Sequence, residues 1–410
     1  MRLGGRLGPL AERQFRLLFA GRTISFLGNA IAPIAIAFAV LDLTGSKTDL
    51  GFVLAARSLP QVVFLLIGGI WADRLKRNHV MVASNILSGA SQATVAFLLL
   101  SGRAELWMLI VLAAVNGFSS SFFFPASVGI TPQTVPKTML QSANALLRLG
   151  MNTSTIIGAS LGGLLVAATS PGDAIAVDAA SFFLAALFLG LMRLPPGLRM
   201  QGSHFLAELA DGWREFTSRT WLWAIVLQFS VVNAFVVGSE QVLGPTIAKE
   251  SLGGAAGWGL VLTCQAAGLV LGGLLQLRLR PRRLLFVATI GVLVGTPLLI
   301  ALAIPLALAA VCACAALAGV GIETFGVNWD TAMQQEIPGE KLSRVGSYDA
   351  LGSYVLIPLG LAVVGPIAEA IGTSTLLYSV AVLNVAAVLA VLSVAEVRTL
   401  RRAQPALTTS

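Results

Sequence analysis

Charged side chains stand inside long apolar runs, Arg57, Arg148, Glu240 and Glu323 among them, and Asp73 sits in a charged turn between two such runs. An ionisable group in such a setting is costly to keep and is retained to pair, to carry a proton or to meet a polar cargo. Arg148 and Glu323 fall at similar depth in the fifth and tenth runs, so they suit a pair, and Glu323 is the first candidate for proton coupling. Glu240 is a second, near the end of the seventh run, where its carboxylate also reaches the interface by snorkelling. Arg57 lies roughly 12 Å into the second run at 1.5 Å per residue. The amides Asn29, Asn152, Asn233, Gln265 and Asn328 lie at or near mid-run. They suit hydrogen bonds to a bulky, partly polar cargo, and equally bonds between helices worth about 0.6 kcal/mol each.

Other chemistries are poorly served. Gly158-Ala159-Ser160-Leu161-Gly162 fits the nucleophile-elbow spacing, which needs a preceding strand and a nearby histidine. Here it lies in an apolar helical run, and the two histidines, His79 and His204, belong to polar turns. Gly158, Gly162 and Gly163 read instead as a small-residue face for helix packing. The chain has no Gly-Lys pair and so no phosphate-binding loop of the G-x-x-x-x-G-K-[ST] type. No cofactor is expected, and an ion gradient is the natural drive. Cys264, Cys312 and Cys314 all lie in apolar runs and read as packing residues, without a metal or disulfide role.

The elements that must carry these residues follow from composition. Of the 410 residues 56% are hydrophobic and 11% charged, against about 25% charged in an ordinary soluble domain. Twelve apolar runs, near 15–41, 49–72, 79–101, 105–130, 141–168, 173–193, 220–247, 256–277, 283–303, 305–329, 346–370 and 373–395, each reach the roughly 20 residues that span a bilayer. The expected fold is an all-α membrane protein. The formal charge of +8 reflects topology: with the N-terminus inside, only Lys47, Arg103 and Lys249 fall on outer segments. By the positive-inside rule both termini are cytoplasmic, and no nucleic-acid footprint is implied.

The polar interval 195–219 carries Pro195-Pro196 and the mixed segment 205–216, which reads as an amphipathic helix on the inner membrane surface. It divides a six-helix half at 1–194 from a second half and tail at 220–410. The halves are similar in pattern: Gly117 aligns with Gly319, Gln133 with Gln335, Pro136 with Pro338 and Leu149-Gly150 with Leu351-Gly352. Parallel six-span repeats with a site between them are a transporter plan. Pro33, Pro60, Pro125, Pro245, Pro297 and Pro358 interrupt the runs and are expected to kink them.

The string Gly69-Ile70-Trp71-Ala72-Asp73-Arg74-Leu75-Lys76-Arg77-Asn78 resembles the loop motif G-x-L-A-D-R-x-G-R-K of the major facilitator superfamily, with Lys76 and Asn78 departing from it. Gln141-Ser142-Ala143-Asn144-Ala145-Leu146 and Leu342-Ser343-Arg344-Val345 resemble the drug and siderophore exporters of that superfamily, of the enterobactin-exporter and macrolide-efflux type. Gly158-Ala159-Ser160-Leu161-Gly162-Gly163 is similar to the end of its antiporter motif, Ala159 standing where proline is usual. The resemblance covers nearly the whole chain. It implies twelve transmembrane helices in two pseudo-symmetric halves and a non-enzymatic exporter of an amphipathic small molecule, working by alternating access against proton entry. It further implies a monomer in the bilayer of the bacterial inner membrane. Gly69, Asp73, Arg74 and Arg77 then form a gating loop, with Asp330, Arg344 and Asp349 completing an ion-pair latch. Two alternatives stand beside this: an uptake permease on the same scaffold, and a non-transporting membrane sensor or enzyme.

Overall fold

The computed structural model describes residues 8–74, 76–194, 205–279, 281–304 and 306–402, and for 65–74, 124–125, 128–129, 137, 205–210, 339–340 and 343 the backbone alone. It is a helical protein. Its helices are α1 (Arg13–Thr44), α2 (Lys47–Arg74), α3 (Arg77–Leu100), α4 (Leu106–Ile130), α5 (Leu140–Ala168), α6 (Pro171–Gly190), α7 (Phe205–Thr217) and α8 (Thr220–Ser251). After these come α9 (Gly254–Arg278), α10 (Leu284–Leu293), α11 (Thr296–Ala303), α12 (Leu308–Glu336), α13 (Gly339–Tyr354), α14 (Ile357–Ile371), α15 (Thr373–Ser393) and α16 (Ala395–Thr399). Among the described residues, eleven stretches are long and apolar enough to cross a membrane. α2 has matching length, but the end that would complete its span lies partly outside the described side chains.

Tight turns follow from local chemistry. α1 stops at Gly45, whose φ of 68° is the left-handed conformation a glycine adopts without steric cost. Ser46 Oγ then accepts from the Asp49 amide at 3.1 Å and caps α2. α6 starts on the same logic, with Ser170 Oγ accepting from the Asp173 amide at 3.2 Å and Pro171 in the first turn.

The side chain of Pro125 lies outside the described residues, and the other five prolines expected to kink the runs divide into two groups. Pro33, Pro60 and Pro245 are carried inside continuous helices. Pro297 and Pro358 instead open α11 and α14, so the ninth and eleventh apolar runs each consist of two helices. The expected interruption is thus realised at the second pair and absorbed within unbroken helices at the first three.

The chain forms two compact units. Unit 1 contains residues 1–201 with 241–263 and 361–366, and unit 2 contains 202–240, 264–360 and 367–410. In unit 1, α1 packs on α5 and α6, α2 on α4, and α3 on α4 and α6. Its inner core gathers Leu18, Met81, Ile130 and Leu189. In unit 2 one core carries aromatic contacts: Trp221 meets Trp329 edge-on at 5.5 Å, and Phe325 lies 4.2 Å from Phe229 between centroids. Large apolar side chains such as Phe97, Leu164, Leu277, Val382 and Leu389 point outward, as a lipid-facing surface requires and an aqueous one does not.

The amphipathic segment is helical, as its pattern predicts, and it is fastened. Glu215 on α7 accepts from Lys341 Nζ at 2.9 Å and from Arg219 Nη2 at 2.8 Å. Trp213 and Phe216 pack on Tyr348 of α13. The Lys341 bond, and after it the Arg219 bond, hold the Glu215 carboxyl below the usual carboxylate range.

Candidate functional site

Glycines on α5 set the scaffold of unit 1. A Cβ on Gly158 would lie 2.8 Å from the Leu27 carbonyl oxygen, and one on Gly162 3.1 Å from Ile31 Cα. Both glycines therefore let α5 lie directly on the backbone of α1. Gly163 turns to a different partner: a Cβ there would lie 2.6 Å from the Ala255 carbonyl oxygen and 2.9 Å from Gly259 Cα, at the start of α9. A hydroxyl pair, Ser160 with Thr263 at 2.8 Å, flanks this contact. The aligned glycines of the two halves serve alike. Gly117 lies against the Arg57 carbonyl and Gly319 against the Gln265 carbonyl, so Arg57 and Gln265 occupy matching seats in their own units.

Unit 2 encloses a cavity of about 590 Å³. Its walls are mostly apolar, from Val236, Leu298, Leu299, Leu302, Ile322 and Phe325 among others, and its polar groups are few. Asn233 lines it and donates to the Ser353 carbonyl at 3.1 Å. Gln265 lines it beside Glu240, whose carboxylate it meets. Asp330 and Asp349 line it too, and Asp349 Oδ2 accepts from the Trp329 indole at 3.1 Å. Gly326 contributes bare backbone to the wall, with nothing within 4 Å of where a Cβ would stand.

The remaining sequence candidates are distributed differently. Glu323 is not part of this cavity lining; its side chain packs against Gly272 and Gly273 of α9. Asn328 is buried and donates to the Thr324 carbonyl at 2.7 Å and to Gln276 at 3.3 Å, an interhelical role. Arg148 and Asn152 are exposed along α5 of unit 1. Arg344 is half-buried on α13, its Cβ 3.0 Å from where a Cβ on Gly212 would stand. Arg77 is half-buried at the start of α3. Gly69, Asp73 and Arg74 lie on α2 where the backbone alone is described, so the side chains of Asp73 and Arg74 lie outside the described residues.

Unit 1 holds a second polar centre. Arg57 Nη2 donates to Asn29 Oδ1 at 3.3 Å, and Asn29 in turn donates to the Ser25 carbonyl at 3.0 Å. Around them is a cavity of about 190 Å³, lined also by Gln61, Asn85 and Ser88. Beside it, Arg57, Gln92 and Asn116 line a void of about 20 Å³, room for about one water. Asn116 has neither amide atom hydrogen-bonded there. Gln92 Nε2 donates to Asp178 Oδ2 at 2.6 Å, and Asp178 is fully buried.

Sequence reasoning missed Asp178. The signal was present, a carboxylate inside the sixth apolar run, and the rule that singled out Glu323 applies to it equally. In unit 2 the corresponding helices carry a neutral pair, Asn384 donating to Thr296 Oγ1 at 3.1 Å.

Comparison with known proteins fits this architecture. The chain is 23% identical over 368 residues to macrolide efflux protein A of Streptococcus pyogenes, covering 88% of this chain and 91% of that one. It is 26% identical over 369 residues to the enterobactin exporter EntS of Salmonella typhimurium, covering 87% of each. The fold matches the crystal structure of a bacterial homolog to the human lysosomal transporter Spinster with a TM-score of 0.75 at 16% identity, over 98% of this chain and 100% of that one. The profile of the Major Facilitator Superfamily matches residues 18–253. This multi-pass membrane protein is a transporter, not an enzyme, and the chain belongs to the Major Facilitator Superfamily, with its resemblance lying toward the drug and siderophore exporters.

Proposed function

We propose that the chain exports an amphipathic small molecule, such as a drug, a siderophore or another secondary metabolite, in exchange for protons entering the cell. The observation that supports this most is the unit 2 cavity of about 590 Å³, apolar on most of its wall with a handful of polar groups. Such a lining favours a greasy cargo whose few polar atoms are oriented by fixed partners. Macrolide efflux and enterobactin export, the activities named for two relatives, support the outward direction.

In this reading Asn233 and Gln265 meet the cargo directly, and Asn29, Arg57, Asn152 and Asn328 serve the pathway or its packing. Glu323 with Arg148, or Glu240, couples protons. Gly69, Asp73, Arg74 and Arg77 gate against Asp330, Arg344 and Asp349 as two six-helix halves alternate access. In the same reading the chain is a monomer of the bacterial inner membrane with twelve spans, and the distribution of Lys and Arg supports cytoplasmic termini.

The test is transport into inside-out vesicles. Expression in a susceptible host should raise tolerance to a lipophilic antibiotic or an iron chelator. Inside-out vesicles should then accumulate that compound only when their interior is acid. Accumulation that ignores the gradient overturns proton exchange. A compound whose cellular level rises on expression overturns export in favour of uptake.

A further inference from the structure

The Asp178 centre has the parts of an exchange site and no share in the cavity of unit 2. Its carboxyl is 0% exposed. Oδ2 is engaged by Gln92 at 2.6 Å, while Oδ1 has no hydrogen-bond partner. A buried carboxylate oxygen left without a donor is expensive, and a bound proton converts that oxygen from an orphan acceptor into a hydroxyl donor. Space at this oxygen depends on Gly28 of α1, since a Cβ there would come within 2.5 Å of Asp178 Oδ1.

The centre lies one side chain away from space of the size of a water. Gln92 joins Asp178 to the small void that Arg57 and Asn116 line, and Arg57 lines the larger polar cavity as well. Asn116, buried with both amide atoms free of hydrogen bonds, marks that void as a seat for water. Among the described residues, the charge acting on Asp178 is Arg57, from α2. α3 presents Gln92 and α1 presents Gly28, neither titratable, and Arg22 of α1 turns to the Ser127 carbonyl and the Phe26 ring. No ion pair within 4 Å joins Arg57 to Asp178; Arg57 spends a donor on Asn29 instead.

We propose that Asp178 is a proton-binding site of the transport cycle, taking a proton onto Oδ1 from water beside Gln92 and Asn116 and returning it by the same route. With the proton bound, Arg57 is an uncompensated cation facing the cavity; with the proton gone, Asp178 offsets it. Proton occupancy therefore sets the local charge of the unit 1 cavity. This rests on the proton-exchange reading above but assigns the site to a residue that reading does not use.

The test uses the full chain in proteoliposomes with Asp178→Asn, which keeps an acceptor for Gln92 and cannot release a proton. Two readouts are needed: accumulation driven by a pH gradient, and counterflow exchange of cargo with no gradient. The variant is expected to keep counterflow and to lose gradient-driven accumulation down to the no-gradient level, with its melting temperature near wild type. Gradient-driven accumulation at the wild-type level in Asp178→Asn overturns the proposal. Loss of both readouts in a folded variant also overturns it, because it makes Asp178 a structural or cargo-holding residue. Should Asp178→Asn not fold, Gln92→Leu removes the one bond to Oδ2 and should displace the pH profile of wild-type transport; an unmoved profile overturns the assignment. A wild-type protein indifferent to the gradient is a different result, refuting proton exchange itself.

Discussion

Gly163 and Gly259 hold α5 and α9 at backbone contact, and replacing one with alanine tests how much that closeness matters. A Cβ on Gly163 would lie 2.6 Å from the Ala255 carbonyl oxygen and 2.9 Å from Gly259 Cα; a Cβ on Gly259 would lie 2.8 Å from Gly163 Cα and 2.9 Å from the Ala159 carbonyl oxygen. The obstructing atoms are all main chain, so no side-chain rotation relieves them. The helices must part by roughly 0.7 Å to restore an ordinary carbon–oxygen approach of about 3.3 Å. That movement also stretches the Ser160–Thr263 bond, now 2.8 Å. Overpacking of this kind costs about 1–3 kcal/mol. Gly163→Ala and Gly259→Ala should each lower the melting temperature of the detergent-solubilised protein. The double variant should lose less than the sum, because one separation makes room for both methyls. Gly326→Ala is the control: nothing lies within 4 Å of its Cβ position, and its better helix propensity, up to about 1 kcal/mol, should leave stability equal or higher. Gly163→Ala melting at the wild-type temperature would refute the reasoning.

Four further outcomes follow. Glu215→Gln should release α7 from α13, seen as faster amide exchange over 211–217, with Glu215→Asp an intermediate case. The same clamp has a pH signature: because its carboxyl is held below the ordinary range, its contribution is full above that range and is lost as pH falls through the lowered value. Mildly acidic buffer should thus leave α7 protected, and exchange that rises already at neutral pH would contradict this. Trp329→Phe keeps the ring packing but removes the donor to Asp349, at about 1–3 kcal/mol, which should weaken cargo affinity more than Trp221→Phe does in a direct binding titration. Asp42→Asn breaks an exposed pair with Lys249 at 2.6 Å and should change thermal stability by no more than about 1 kcal/mol.

The apolar runs were legible in the sequence because a bilayer demands length and hydropathy before anything else, and α1 through α6 and α8 through α15 fall on them. The packing role of Gly158, Gly162 and Gly163 was legible from spacing, though not that Gly163 serves α9 while its neighbours serve α1. Partners distant in the chain leave no periodic trace: Lys341 on Glu215 and Gln92 on Asp178 are visible only once the helices are assembled. The prolines show the same limit. Pro33 and Pro297 read alike as kinks, yet α1 absorbs the first in a continuous helix while the second opens a new one. Asp178 was passed over although it is a carboxylate inside an apolar run, and its charged partner, Arg57, sits on α2 and is found only once the helices are assembled.

Gly326 gives the chamber of unit 2 an adjustable wall. Because its Cβ position is unobstructed and it lines the cavity, a methyl can be added there without moving a helix, and larger residues should subtract more of the space on offer. A series from alanine through valine to leucine would work as a caliper, excluding the largest passengers first and reporting their girth by the step at which each is turned away.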